Sequence, residues 1–332
     1  MKGGKILAAD IKRTSVLRRL PTLGRLHYRE APGDEGSVCA FQLVPDASPI
    51  IVEAVSGRAM ALMPRDVFLA TPGHRESTRW VVGGIPKRGL SPRKNYWILS
   101  ESGVVGNLVA GTPLTKSHLG RVKYLGVVCR DDDQILNIRQ FAVNTVRASD
   151  KGAAVYLFVG TSAEVGKSTA VITVLQALLK NGHLVVAFKA TGTSSFGEIV
   201  KYKDYGAAQV FDCVDFGLPT TYPSKRVGIG RIFDHALDAC LSISADAILI
   251  ECGGDMLGAN VPVFLKRLKQ RRSHPKVILA AADALGALSG ATLLRKLGLP
   301  VSMITGPCTD TPTLSERTRK LCGIPAINML QN

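Results

Sequence analysis

A glycine-bounded loop between an apolar run and a helical pattern constrains this chain more than any other feature. The apolar run covers residues 153–159, and the loop that follows extends from Gly160 to Gly166, Lys167 and Ser168. A turn poor in bulky side chains lets consecutive backbone amides converge, and a helix that follows directs its positive dipole end to the same point. The pattern therefore predicts a strand, a phosphate-binding loop and a helix in succession.

Each polar group of the loop has an expected role beside a phosphate chain. Lys167 supplies a mobile positive charge, and Ser168 supplies a hydroxyl that can ligate Mg²⁺. The two loop glycines are one residue further apart than in the standard Walker A pattern, so Thr161 must replace the first of them. A plain strand-to-helix turn is the alternative interpretation. The predicted phosphate contacts are Gly160, Thr161, Ser162, Ala163, Glu164, Val165, Gly166, Lys167, Ser168 and Thr169.

The composition predicts a globular protein. The chain has 332 residues, 46% of them apolar, so it can bury a large core and form two domains. No apolar run is long enough to span a membrane, and the first residues lack the apolar stretch of a secretory signal. We therefore expect a cytoplasmic protein without a membrane partner. The cysteines are widely spaced and form no Cys-x-x-Cys pair, which favours buried thiols over disulfides or a zinc site.

The positive charge of the chain indicates an anionic ligand. Lys and Arg number 42 against 26 Asp and Glu, a net charge of +16 that is spread over both halves without a basic tail. Such a distribution suits a nucleotide with a small anionic or amino-acid-like substrate better than it suits nucleic acid, which we do not expect as a partner. The densest cluster, residues 266–272, is interpreted as the solvated end of a helix, where positive charge complements the helix dipole.

The two halves of the chain differ in pattern. Short apolar or β-branched runs between residues 50 and 146 alternate with Gly- and Pro-containing segments, which is typical of a β-rich barrel or sandwich. Beyond that point buried strands alternate with helices, which predicts a doubly wound parallel sheet. We therefore expect an α/β protein with a smaller β-rich domain of unassigned role at residues 1–148 and a nucleotide-binding domain at 149–332. The predicted strands of the second domain are residues 153–159, 184–188, 245–251, 276–281 and 300–305.

Within the β-rich half, a group of four polar residues beside a Gly-Pro turn is interpreted as loop surface, with contact to a ligand as the alternative. Its members are His74, Arg75, Glu76 and Arg79.

Ligands of an open parallel sheet bind beyond the carboxyl ends of its strands, which places the phosphate loop, Lys189, Glu251 and Gly306 along one edge. Glu251 is a candidate Mg²⁺ ligand beside Ser168, with room left by Gly253 and Gly254, and a purely structural carboxylate is the alternative. Lys189 is a candidate catalytic cation that offsets charge on a γ-phosphate or an acyl phosphate. The hydroxyl-rich segment 191–195 suits phosphate or carboxylate contacts.

Two further acids are candidates near this edge. Asp212 is predicted as a second Mg²⁺ contact and Asp215 as a base that orients an amine, with the pair on one helical face or flanking a turn. Solvated surface acids are the alternative.

The second half of the chain resembles two families. Residues 158–168, with their wide glycine spacing, and the segments 187–189 and 251–254 resemble dethiobiotin synthetase. Residues 189–192, 211–217, Gly306 and 323–326 are similar to a bacterial P-loop family of largely undefined function that includes a D-glutamate N-acetyltransferase. The segment 254–258 departs from the second family, which leaves the substrate open. The resemblance implies that the loop at 306–310 holds a nucleotide base.

Motif and resemblance together imply an ATP- and Mg²⁺-dependent ligase or phosphotransferase that phosphorylates a carboxylate, or a comparable oxygen, for transfer to an amine. The acetyltransferase likeness leaves open an N-acyltransferase whose loop holds acetyl-coenzyme A and needs no metal. A nucleotide-dependent regulatory or scaffold ATPase is a third possibility, and the lack of an Asn-Lys-x-Asp tetrad disfavours its GTPase form. We expect a homo-oligomer, a dimer, in which the β-rich half forms a substrate lid or a subunit contact.

Overall fold

The structure, a computed structural model, describes residues 5–8, 10–22, 25–77, 81–111, 120–130, 132–144, 151–222, 228–271 and 274–329. The chain forms two compact units. The first comprises Met1–Val143, Thr193–Gly197 and Cys213–Ser224, and the second comprises Asn144–Gly192, Glu198–Asp212 and Lys225–Asn332. The first unit thus includes two short segments from the C-terminal half, which a single boundary after residue 148 does not assign to it.

The first unit consists mainly of short strands. They are β1 (Lys5–Ile6), β2 (Lys12–Arg13), β3 (His27–Arg29), β4 (Cys39–Leu43), β5 (Ile50–Glu53), β6 (Ala59–Leu62), β7 (Val67–Pro72), β8 (Arg75–Glu76), β9 (Val81–Gly84), β10 (Asn95–Ser100), β11 (Val104–Gly111) and β12 (Arg121–Cys129). Three 3-10 helices accompany them, Ser15–Leu17, Ile138–Phe141 and Cys213–Phe216. The β-rich prediction for this part of the chain is confirmed, although β1 to β4 precede the region where the sequence pattern was clear.

Five of these strands close into a ring. β12 pairs with β4, β4 with β7, β7 with β11, β11 with β10, and β10 again with β12. The rings of Phe41 and Tyr124 pack 5.5 Å apart in the apolar core of this unit, and Phe68 lies against Phe41. A closed ring has no free edges, so this pairing is that of a small barrel rather than of a sandwich.

The polar group beside the Gly-Pro turn is not simple loop surface. Arg75 and Glu76 form β8, which pairs with β9, and Arg75 Nη1 donates to the carbonyl oxygen of Leu99. His74 is half-buried. Arg79 lies outside the described residues. The alternation of the sequence here is too short to predict a two-residue strand, because such a strand depends on its partner for stability.

The second unit alternates strands with helices. Its strands are β13 (Ala154–Gly160), β14 (Val185–Thr191), β15 (Gln209–Asp212), β16 (Ala247–Cys252), β17 (Lys276–Ala280) and β18 (Val301–Thr305). The helices are α1 (Lys167–Lys180), α2 (Phe196–Asp204), α3 (Ile229–Leu241), α4 (Val261–Arg271), α5 (Ala284–Lys296) and α6 (Pro312–Cys322), with a 3-10 helix at Pro307–Thr309. The first two residues of α2 belong to the first unit.

The strands of the second unit form one parallel sheet in the order β15-β14-β16-β13-β17-β18. Each predicted strand is present within a few residues of its expected bounds, and α1 ends at Lys180 with Asn181 as its C-cap. β15 was not predicted, because its four residues include a single β-branched side chain and end in Asp212. A mixed α/β fold with a parallel sheet is therefore established.

The basic cluster at the end of α4 is only partly solvated. Arg271 donates to Asp238 at 2.8 Å and to Asp234 at 2.7 Å, and Arg267 lies 3.5 Å from Asp234. Both acids lie on α3, so these arginines join two helices. The interpretation as a free helix end is corrected in this respect, and the last arginine of the cluster, at position 272, lies outside the described residues.

All seven cysteines are free, six of them are buried, and Cys322 is half-buried, which confirms the prediction of unpaired thiols. In the described part of the chain, no helix combines the length and the apolar character that crossing a membrane requires.

Candidate functional site

The backbone of the loop is shaped by its glycines. β13 ends at Gly160, and Gly166 caps the N-terminus of α1 in the left-handed conformation with φ +87°. A methyl group at Gly160 would lie 2.8 Å from Lys167 Cδ and 2.9 Å from its Nζ, so the lysine could not keep its path. No side chain caps α1, and the first amides of a helix have no acceptor within it. The loop is therefore a glycine-shaped turn that leads into an uncapped helix N-terminus, and its contact with a phosphate chain stays a prediction.

Lys167 lies folded across the loop. Its side chain is almost fully buried, and Nζ donates to the carbonyl oxygen of Ser162 at 2.8 Å. Burial lowers the pKa of Lys167, the negative charge of Glu251 opposes this, and the positive charge of Lys189 adds to it. A desolvated ammonium group of this kind gains most from an anion, because its present partner is a neutral carbonyl.

Glu251 lies beside the phosphate loop. Its strand, β16, pairs directly with β13, where Phe158 is its register partner. Ser168 Oγ donates to Glu251 Oε1 at 3.0 Å, and the hydroxyl of Tyr202 donates to Glu251 Oε2. Burial raises the pKa of Tyr202 well above its ordinary value, and the charge of Glu251 adds to the rise. Both carboxylate oxygens are therefore held by hydroxyl donors from different helices.

Lys189 lies beside Glu251, at the same register position on the neighbouring strand β14. Its register partners are Glu251 on β16 and Asp212 on β15, so the three side chains start from one face of the sheet. Lys189 Nζ donates to Glu198, which lies on α2. The lysine is thus buried and paired beside Lys167, and any anion that it meets must compete with Glu198.

Gly253, the first of the two glycines after β16, does not leave room for a ligand in the expected way. A methyl group at Gly253 would lie 2.4 Å from the carbonyl oxygen of Thr191 and 3.0 Å from Lys189 Cε. Gly254 adopts a positive φ of 82°. The missing side chain of Gly253 is therefore required by the protein itself, because the end of β14 and the stem of Lys189 fill that space.

The two predicted acids of the segment 211–217 belong to different units. Asp215 belongs to the first unit, where Arg18 lies 2.7 Å and Arg19 3.6 Å from its carboxylate oxygens. Asp212 ends β15, which is separated from Glu251 by β14, so the two α-carbons are about 10 Å apart. The acids flank a strand-to-3-10 transition and do not share a helical face. Asp215 is thus paired with arginines within the first unit, and a metal contact of Asp212 stays a prediction.

The hydroxyl-rich segment 191–195 is largely engaged within the protein. Ser194 Oγ lies 2.9 Å from Ser102 Oγ, and Ser195 Oγ donates to Glu53 at 3.3 Å, both within the first unit. Thr191 Oγ1 donates to the carbonyl oxygen of Gly253 at 3.1 Å. These hydroxyls therefore have structural partners in the present arrangement.

Gly306 contacts the phosphate loop through its backbone. It has φ +95°, and a methyl group there would lie 2.6 Å from the carbonyl oxygen of Val165 and 2.9 Å from that of Ala281. Thr161, which replaces the first glycine of the motif, donates its amide to Ala280 at 3.0 Å. The structure thus places Gly306 beside the loop, and its contact with a nucleotide base stays a prediction.

Two residues of the cluster were missed by sequence reasoning. Glu198 and Tyr202 lie four residues apart on α2 and reach Lys189 and Glu251 respectively. Their spacing is the helical one and was the available signal. It was not used, because residues 196–204 were not assigned as a helix.

The donor set can be compared with the needs of Mg²⁺. Among the described residues, no group of three or more His, Cys, Asp or Glu side chains could hold a metal ion. Mg²⁺ in phosphate-transferring sites typically uses only one or two protein carboxylates together with substrate phosphates and water. The neighbouring oxygens of Ser168 and Glu251 fit that requirement. The fold and this site define a mixed α/β protein with a phosphate-loop site at the end of a parallel sheet.

No known protein family matches this chain, and no curated protein is significantly similar to it. Among solved structures it is similar to FtsY from Mycoplasma mycoides, at 17% identity and a TM-score of 0.37, covering 54% of this chain and 61% of that one. Chloroplast FtsY from Physcomitrella patens matches at 16% identity and 0.36, covering 57% and 63%. The signal recognition particle 54 kDa protein from Aeropyrum pernix K1, in complex with GDP, matches at 17% and 0.37, covering 55% and 43%. The chain spans less than two thirds of each of these structures.

Proposed function

We propose that this protein is an ATP- and Mg²⁺-dependent enzyme that phosphorylates a substrate carboxylate and passes the activated acyl group to an amine. The hydrogen bond from Ser168 Oγ to Glu251 Oε1 carries the proposal. It brings a hydroxyl at the start of α1 and a carboxylate at the end of β16 together beside the phosphate loop. Oxygen donors of this kind are those that Mg²⁺ prefers.

The chain's own residues supply positive charge and amide donors. Lys167 and the first amides of α1 would bind the phosphate chain, and Ser168 and Glu251 would hold the metal. Lys189 would offset charge on the transferring group once that group displaces Glu198. The metal held by Ser168 and Glu251 would supply positive charge that stabilises the developing negative charge of the reaction. Ser168 and Glu251 are already in contact, so they would need little rearrangement to hold a cation.

The chemistry balances without a further reactant. A carboxylate oxygen attacks the γ-phosphorus of ATP, and the bond from that phosphorus to the bridging oxygen breaks to release ADP. An amine then attacks the carbonyl carbon of the acyl phosphate, inorganic phosphate leaves, and the amine loses a proton to solvent. Carboxylate and amine enter through the resemblance of residues 158–168 and 251–254 to dethiobiotin synthetase.

The sheet connections support a site at this place. We propose that the sheet is doubly wound, because the chain runs outward from β13 to β14 and β15 and later returns from β16 past β13 to β17 and β18. Right-handed crossovers would place α1 and α2 on one face and α3, α4 and α5 on the other. The ion pairs between α3 and α4 agree with this arrangement. Connections that leave β13 and β16 for opposite faces would open a crevice between these strands, where ligands of such sheets bind.

A ligand screen tests the function. The melting midpoint of the full chain is measured with ATP, GTP and acetyl-coenzyme A, each with and without Mg²⁺, because a ligand that binds only the folded state raises the midpoint. We expect ATP with Mg²⁺ to give the largest shift, and amine-dependent release of ADP in the presence of a carboxylate substrate.

The same screen identifies the rival functions. A shift with acetyl-coenzyme A alone, independent of Mg²⁺, would replace the proposal by an N-acyltransferase. Slow hydrolysis that small molecules leave unchanged and a protein accelerates would indicate a regulatory nucleotidase. A melting midpoint that none of the three ligands changes would overturn the phosphate-loop assignment.

A further inference from the structure

Tyr202 is a buried polar group whose position the proposed reaction does not explain. Its side chain is about 1% exposed, and its hydroxyl donates to Glu251 Oε2. It lies on α2, whereas the other donor to this carboxylate, Ser168, lies on α1. The nearest structural explanation is that a buried hydroxyl must have an acceptor.

The geometry of the carboxylate indicates a more specific role. An ionised carboxylate can rotate about its terminal bond, and one hydrogen bond leaves that rotation largely free. Ser168 on Oε1 and Tyr202 on Oε2 together fix the plane of Glu251. Each oxygen keeps a further lone pair, so Oε1 can face a cation beside the Ser168 hydroxyl.

A second contact from α2 shows that the spacing of its side chains fits the spacing of the strands beneath it. Glu198 and Tyr202 are four residues apart on α2, and their partners Lys189 and Glu251 are register partners on adjacent strands. Side chains four residues apart on a helix are about 5–6 Å apart, close to the spacing of adjacent strands. One face of α2 therefore contacts both Lys189 and Glu251.

We propose that Tyr202 is a positioning residue, whose hydroxyl holds the Glu251 carboxylate with Oε1 directed at Ser168 for a divalent cation. The proposal rests on the proposed function, in which Ser168 and Glu251 hold Mg²⁺. Groups that orient a metal ligand typically change metal affinity by about 10- to 100-fold when they are removed.

The test replaces Tyr202 by phenylalanine, which removes only the hydroxyl. The Mg²⁺ concentration that gives half of the ATP-induced rise in melting midpoint is titrated for wild type and Tyr202→Phe, and binding of a fluorescent ATP analogue is measured in EDTA. We expect the half-maximal Mg²⁺ concentration to rise by about tenfold or more, with unchanged metal-free nucleotide affinity. Tyr205→Phe is the matched control, because Tyr205 is nearby in sequence and half-exposed, and it should behave as wild type.

The outcomes separate this proposal from the function on which it rests. If Tyr202→Phe melts earlier but keeps the wild-type Mg²⁺ requirement, the hydroxyl is only structural and the proposal is overturned. If Glu251→Gln also keeps that requirement, the metal site itself is wrong. If the half-maximal Mg²⁺ concentration rises in Glu251→Gln but not in Tyr202→Phe, the metal site stands and only the role of Tyr202 is overturned.

A second variant covers a failure of Tyr202→Phe to fold. Tyr202→Leu also removes the hydroxyl and, being smaller, leaves room for water beside Glu251, so its half-maximal Mg²⁺ concentration should likewise rise by about tenfold or more. A folded Tyr202→Leu protein with the wild-type Mg²⁺ requirement would overturn the role of the hydroxyl.

Discussion

Gly160 and Lys167 show how single residues of the loop depend on each other. The lysine side chain passes the α-carbon of Gly160 at a distance that leaves no space for a methyl group. Its ammonium group then reaches the carbonyl oxygen of Ser162. Gly160 is therefore needed for the path of the lysine, in addition to any close approach of a ligand.

Replacing Lys167 by alanine tests whether this side chain binds the phosphate chain of ATP. A hydrogen bond to a charged group contributes about 1.5–3 kcal/mol, so Lys167→Ala should weaken ATP binding by roughly 10- to 150-fold. The melting midpoint without ligand should be maintained, because the variant also removes a buried charge. Affinity is measured with a fluorescent ATP analogue, and Lys180→Ala, an exposed change at the other end of α1, is the control. Equal affinities of the two variants would contradict the site.

Individual roles could be predicted where they depend on local chain geometry. The loop, Lys167 and Ser168 are adjacent in sequence, so their convergence follows from the turn itself. Asp215 could not be placed in this way, because its partner Arg18 is 197 positions away. The choice of that partner reflects the burial of both charges together, which no local spacing encodes.

At the scale of elements, helix α2 has an unusual N-terminal cap. The carboxylate of Glu53 accepts the backbone amides of Phe196 and Gly197 at 3.0 Å each. It also accepts Ser15 Oγ at 2.7 Å. A carboxylate at this end complements the helix dipole and satisfies amides that have no acceptor within the helix. All of these residues lie in the first unit.

Removing this cap should destabilise the protein. Glu53→Ala leaves amides and a buried hydroxyl without their acceptor, and we expect a loss of about 1–3 kcal/mol in the free energy of unfolding. Urea denaturation measures it. Glu76→Ala removes an exposed glutamate of β8 and should change stability little. A Glu53→Ala protein as stable as the Glu76→Ala protein would show that other groups satisfy these amides.

The strands and helices could be predicted where their apolar residues recur with a regular period. The strands at β13, β14, β16, β17 and β18 are apolar runs flanked by helices, and all were predicted. β15 and α2 were not, since a four-residue strand and a nine-residue helix carry too little pattern alone. Both are stabilised by tertiary contacts, β15 by pairing with β14 and α2 by its cap and by Tyr202.

At the scale of the whole molecule, buried thiols link stability to pH. Burial raises the pKa of Cys252 to about 12 and that of Cys308 to about 11, and it also raises the pKa of Cys39. Unfolded thiols lose their protons near pH 8.5, so above that value the unfolded state binds fewer protons than the folded state. The stabilising contribution is complete below pH 8.5 and falls as pH rises.

We therefore expect the free energy of unfolding to decrease between about pH 8.5 and 10, by up to about 1.4 kcal/mol per pH unit for each such thiol. Urea denaturation at a series of pH values measures the slope. Cys252→Ala should reduce the slope of the free energy of unfolding against pH, even if the variant is less stable at every pH. A wild-type free energy that stays constant over this range, or alkylation of Cys252 in the folded protein, would contradict the burial of these thiols.

The amino-acid sequence by itself determined the phosphate loop, the alternation of strands and helices after residue 148, the β-rich character before it, and the unpaired cysteines. These properties follow from turn geometry, hydrophobic periodicity and residue spacing, which act between near neighbours. Tertiary structure alone decided the closure of the five-stranded ring, the pairing of Asp215 with arginine, and the contacts of Glu198 and Tyr202 with Lys189 and Glu251. These contacts depend on which distant groups share a desolvated environment. Tyr202 and Glu251 are 49 positions apart, so no local pattern predicts their contact.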